Sequence, residues 1–293
     1  MQTAAPALDR QEWRARAARH TARVDAFVRP HLARRSTGAK HPVHDFLFTY
    51  YSHRPAQLRR WHPGFGVVLS DAVEYAGLKG YAVDGTSAGV AASHVASRSA
   101  LLTSTERLLA ATAGRPGHLG CFGLHEWAMV HRLAEQGTRH PAWPLRLGPA
   151  GTDSVVEAHR ITCSHFDAFR FFPPTARPLN TLQPRPDDRP AYEQPACLHA
   201  NMDLYKHAFR LSPMVASELV ADCFELACAI RVVDMRASPY DLAGLGLQPI
   251  PIETPAGKQE YAAAQRGFAE RAAPLRRRLL EECRRLLSAA ALD

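Results

Sequence analysis

Apolar positions recur along the first forty residues at close to helical spacing. Trp13, Ala17, Val24, Phe27 and Leu32 fall near one stripe, Asp9 stands where an N-cap belongs, and Ser36–Thr37–Gly38 breaks the pattern. A helix is therefore expected over 9–35. The same reasoning predicts helices over 103–113, over 121–136 with its end at Gly137, and over 199–210, 213–235 and 256–290. His44–Arg54, dense in aromatics, reads as a short helix or turn, and Phe65–Leu69, bounded by Gly64 and Asp71, as a short strand. Pro173, Pro174, Pro178, Pro184, Pro186, Pro190 and Pro195 forbid a regular helix or a central strand. Residues 173–195 are read as a long Pro-rich loop, of the kind that covers a site. The chain, 1–293, is expected to be mainly α: a single helical domain with a few short strands.

Composition supports a globular reading. Hydrophobic residues make up 46% of the 293, enough for a real core. No run approaches the roughly 20 apolar residues that span a bilayer, and Met1–Arg10 carries no basic start followed by an apolar run. The six cysteines are scattered without a CxxC, which fits buried thiols in a reducing compartment. A cytoplasmic protein without membrane contact is the expectation. The net charge of +8 is concentrated at the ends. Residues 1–40 hold nine Lys/Arg against Asp9, Glu12 and Asp25; residues 266–285 hold seven Arg against Glu270, Glu281 and Glu282. Basic terminal helices of this kind can grip the phosphates of DNA, and they equally fit a solvated arginine-rich face.

The chemistry-bearing residues lie between those ends. Four stretches combine histidine, carboxylate and aromatic groups: His44–Asp45–Phe46, His125–Glu126–Trp127, His165–Phe166–Asp167, and 199–205 with His199, Asn201, Asp203 and Tyr205. Burying four titratable pairs separately is costly, so a shared polar pocket is expected. His199, Asp203 and His207 repeat every four residues and share a helix face. With Glu126 from a second helix they form a candidate ligand set for iron, manganese or zinc. Gly85–Thr86–Ser87–Ala88–Gly89 matches G-x-S-x-G, the nucleophile elbow of serine hydrolases. The glycine-rich oxyanion segment and the later Asp-Gly-Gly of patatin-like enzymes are missing, so it is read as a small-residue turn.

The segments HPVHDFLFTYYSHRP (41–55), WHPGFGVVL (61–69), HFDAFRFF (165–172), EQPACLHANMDLYK (193–206) and DMRASPYDL (234–242) resemble an actinobacterial family widely labelled 3-methyladenine DNA glycosylase. Position 207, more commonly aromatic in that family, is His207 here. The resemblance implies a hydrolase of the N-glycosidic bond of an alkylated purine, with no cofactor. Such an enzyme extrudes a cationic base, stacks it on aromatic faces and sets a carboxylate against the developing sugar cation. Asp167 or Asp203 would be that carboxylate, with Glu126 and Asp45 as further acids. Trp127 and Tyr205 would be the stacking platform, and His44, His125, His165, Phe166, His199 and Asn201 would contact the substrate. Two other readings remain open. One is a metal-dependent oxidase or oxygenase of a small molecule, non-haem iron or dimetal, with ligands from Glu126, His199, Asp203 and His207. The other is a non-catalytic helical binding protein.

Overall fold

The computed structural model describes residues 6–133, 140 and 142–291. It is mainly α, with a few short strands. The twelve α-helices among the described residues are α1 (Arg10–Ser36), α2 (Phe46–Tyr50), α3 (Pro55–Arg59), α4 (Ala92–Ala96), α5 (Ser99–Ala113), α6 (Leu124–Ala128), α7 (Gly148–Glu157), α8 (Phe166–Phe169), α9 (Arg189–Tyr192), α10 (Leu198–Arg210), α11 (Ser217–Arg236) and α12 (Pro255–Ala290). The strands β1 (Ala7–Leu8), β2 (Val68–Leu69), β3 (Tyr81–Asp84) and β4 (Ser87–Val90) form one sheet in the order β1-β2-β4-β3. No helix among the described residues is long and apolar enough to cross a membrane.

Local chemistry accounts for the long helices. The Asp9 carboxylate accepts from the Glu12 backbone N–H at 2.8 Å and caps α1, which runs to Ser36 as its apolar stripe predicts. α10, α11 and α12 lie within a few residues of their expected bounds. Two expectations are corrected. The helix expected over 121–136 is only the five-residue α6, and 134–137 falls outside the described residues. The Pro-rich stretch 173–195 is not a continuous loop. It holds 3-10 turns at Arg177–Leu179 and Pro186–Asp188 and then α9, each with its proline at the first or second position, where a missing N–H breaks no helical bond.

The chain divides into two compact units. The first collects Met1–Ala110, Leu204–Glu225 and Leu275–Asp293; the second collects Ala111–Asp203 and Leu226–Pro274. In the first, Trp13, Trp61, Leu69, Ala72, Tyr75 and Ala88 form a core against the sheet, with Trp13 and Tyr75 edge to face at 5.7 Å. The polar ends of those rings are satisfied, as Trp13 Nε1 donates to Ser70 O and the Tyr75 hydroxyl to Trp61 O, both at 2.9 Å. The Gly85–Gly89 motif is a hairpin there: β3 turns through Gly85 and Thr86 into β4, with Asp84 opposite Ser87. A nucleophile elbow needs a strand leading into a helix, so Ser87 has the role of a strand residue.

Candidate metal centre

The second unit gathers most of the buried polar groups. Its geometry begins in the turn before α6, where Phe122 (φ 45°) and Gly123 (φ 72°) are both left-handed. A Cβ on Gly123 would stand 3.3 Å from the Tyr261 ring and 3.4 Å from Ala237, so the turn needs glycine. This turn brings Cys121 beneath His125, with Sγ 3.9 Å from Nδ1. Every residue of α6 is buried, His125 and Glu126 among them. Their partners come from one face of α11. Asp234 Oδ1 lies 2.9 Å from His125 Nε2, and Arg231 Nη1 donates to Asp234 Oδ2 at 2.7 Å and to Glu126 Oε1 at 2.9 Å. Arg231 and Asp234 are three residues apart, hence adjacent on the helix.

His199, in the first turn of α10, completes the group. One ligand atom from each of His125, His199 and Asp234 lies within 4.8 Å of the other two. The His199 ring meets His125 edge-on at 4.3 Å and stacks on His165 at 5.3 Å. Burial alone would lower the pKa of His125, but the Asp234 carboxylate outweighs it and pushes the group up to about 10. Asp234 is held below the ordinary carboxylate range, since His125 and Arg231 overcome the burial that would raise it. His199 goes the other way, because burial and the neighbouring His125 charge lower it well below the usual histidine range. Both effects disfavour the charged imidazolium at His199.

His165 opens a second buried network. Its Nε2 is 3.2 Å from Asp203 Oδ2 and 3.7 Å from Glu193 Oε1. Arg189 joins the two acids, donating to Glu193 at 2.5 Å and to Asp203 at 2.9 Å, and it approaches Asp167 at 4.0 Å. Asp167 also pairs with Arg170 at 3.3 Å.

Three of the four expected stretches thus supply this unit: His125–Glu126–Trp127, His165–Phe166–Asp167, and 199–203. His44–Asp45 belongs to the first unit, where Asp45 is committed to Arg34, His31 and the His41 N–H, and exposed His44 packs against His41. Tyr205 and His207 also belong to the first unit, both buried. Of the expected metal ligands only His199 is in the ligand-distance group. Glu126 and Asp203 are bonded to Arg231 and Arg189, because each finds a guanidinium on a neighbouring element. The stacking platform fares no better: Trp127 is fully buried, with Nε1 donating to Ala237 O at 2.8 Å, and Tyr205 is fully buried against Phe224. Asn201, also buried, donates to Pro195 O at 3.1 Å, and Phe166 is half-buried at the start of α8. The terminal arginines proposed to grip phosphates are largely engaged. Arg16, Arg23 and Arg34 pair with Glu218, Glu225 and Asp45; Arg278, Arg284 and Arg285 pair with Asp222, Glu106 and Glu282; and Arg276 is buried.

Sequence reasoning missed Asp234 and Arg231. The one signal for them was their i, i+3 spacing inside the otherwise apolar stretch 226–235 of α11, where a charge must have a buried partner. It also missed that Cys121, Cys163 and Cys197 line one small cavity with His125 and His199. No protein-family model, curated protein or solved structure matches the chain.

Proposed function

We propose that the chain is a metal-dependent oxidoreductase of a small molecule, with His125, His199 and Asp234 as its ligands. The observation that carries this reading is that group's geometry: two imidazoles and a carboxylate with donor atoms within 4.8 Å of one another. His125 Nε2 and Asp234 Oδ1 are hydrogen-bonded at 2.9 Å, so an ion held there would take the place of the proton between them. Two histidines and one carboxylate leave positions open on the ion and suit iron(II) in oxygen chemistry. Arg231, itself held by Glu126, supplies the outer hydrogen bond that orients such a carboxylate. The six cysteines are free thiols, which supports a reducing, cytoplasmic setting.

Less supports glycosylase chemistry. It asks for an open aromatic platform and an anion without a fixed counter-charge, whereas Trp127 is enclosed and Asp203 is clamped by Arg189. The test is metal loading. Protein stripped with chelator and offered iron(II), manganese(II) or zinc(II) in turn should retain one ion per chain after gel filtration. His199→Ala and Asp234→Ala should not. A native protein that retains none of the three overturns the reading, and release of 3-methyladenine from alkylated DNA by metal-free protein would install the glycosylase in its place.

A further inference from the structure

Four of the six cysteines are buried, whereas Cys121 and Cys228 are half-buried. Cys121 differs from Cys228 in what surrounds it. Its Sγ lies 3.9 Å from His125 Nδ1, and it shares a cavity of about 10 Å³ with His125, Cys163, Cys197 and Gln265. That volume admits one water-sized group and no organic substrate. Asp234 is absent from the lining, and its hydrogen bond is to the other nitrogen of the His125 ring.

Gln265, on α12, is 1% exposed. Its Nε2 donates to Ala196 O at 2.7 Å and more weakly to His118 O at 3.4 Å. Two carbonyl acceptors on that atom fix which end of the amide is nitrogen, because an amide oxygen there would face two lone pairs. Oε1 is left as the group Gln265 offers the cavity, and it is buried without a donor among the described residues. A buried acceptor left unserved is costly, so the cavity favours an occupant one oxygen in size that carries a hydrogen. Oxidation of a thiol to its sulfenic acid adds such a group to sulfur.

We propose that Cys121 is a modification site, oxidised by hydrogen peroxide to a sulfenic acid whose oxygen fills this cavity and donates to Gln265 Oε1. Sulfur attacks one peroxide oxygen, so an S–O bond forms and the O–O bond breaks. Two electrons pass from sulfur to the peroxide, and the departing hydroxide takes the thiol proton and leaves as water. Cys163 and Cys197 are buried in the same lining, so peroxide meets Cys121 first. Attack by either thiol on the sulfenic sulfur would then break the S–O bond, release its oxygen as water and leave a disulfide. The site needs no ion and does not rest on the metal reading.

The experiment strips the full chain of metal, so that its outcome is independent of that reading, and exposes it to a small excess of hydrogen peroxide. Sulfenic acid is trapped with dimedone and products are mapped by mass spectrometry, while crystals cooled soon after a peroxide soak locate the oxygen. Cys121 should carry the adduct, or a disulfide to Cys163 or Cys197, in about tenfold excess over any product at Cys228. The crystals should show an oxygen on Cys121 Sγ within hydrogen-bond distance of Gln265 Oε1. Gln265→Leu should lower the yield at Cys121 about fivefold, the effect of one hydrogen bond of about 1 kcal/mol. Equal yields at Cys121 and Cys228 overturn the proposal, because exposure alone would then account for both. No product at Cys121, an oxygen turned away from Gln265, or an undiminished yield in the variant also overturns it. If the variant does not fold, the native protein alone decides.

Discussion

Replacing Arg231 with Met tests the physical account of the buried network. Arg231 is 1% exposed, and one of its nitrogens serves both Glu126 and Asp234. Met fills much of the same volume and carries no charge. Asp234 keeps its hydrogen bond to His125, but Glu126, 4% exposed, loses the guanidinium it is bonded to. Removing one partner of a buried ion pair costs about 3–5 kcal/mol, mostly the penalty of stranding the other charge. At about 2.1 cal/mol/K per residue, 293 residues give an unfolding entropy of about 0.6 kcal/mol/K, so the melting temperature should fall by about 5–8 °C. Calorimetry at neutral pH reads this directly. The mechanism makes a sharper claim than the size. Adding Glu126→Gln to Arg231→Met should recover more than half of the loss, because the stranded charge is gone. A single variant that melts within about 1 °C of the native protein, or a double variant that loses the sum of both, refutes the reasoning.

Asp203→Asn should lower stability by about 1–3 kcal/mol, since Arg189 and His165 lose the anion between them, yet leave metal content unchanged; loss of metal in this variant would move the centre to the ladder on α10. Gly123→Ala should cost about 1–2 kcal/mol in urea unfolding, from a left-handed residue and a Cβ 3.3 Å from Tyr261, and an unchanged midpoint would show that the turn tolerates a side chain. Asp45 supplies the pH dependence. Burial would raise its pKa, but hydrogen bonds from Arg34 and His31 outweigh this and hold it at about 2. A carboxyl held low in the folded state stabilises fully above its unfolded value of about 4 and loses that stability as pH falls through 2. Native protein should therefore exceed Asp45→Asn by at most about 2 kcal/mol at pH 7, the gap closing between about pH 4 and pH 2; a constant gap in thermal melts would place the effect in packing instead.

Much of the framework is legible in the sequence because helix formation is a local event. The Asp9 cap and the stripe from Trp13 to Leu32 specify α1 almost to the residue. Alternation of apolar and polar positions likewise marks α10, α11 and α12. The sequence also picks out the segments that hold buried acids and histidines, because such groups stand out against apolar neighbours. What it does not contain is which buried group meets which. His125 and Asp234 are 109 residues apart, and Arg231 reaches Glu126 across 105. Periodicity reports that a helix face is buried, but its partner is chosen by how whole elements pack. The ladder of His199, Asp203 and His207 shows the difference. Spacing puts all three on one face of α10, yet Asp203 is drawn to Arg189 on α9 and His199 to His125 on α6. The three scattered thiols and Gln265 share a cavity for the same reason. Their meeting was decided by tertiary packing, and any chemistry at that cavity follows from it.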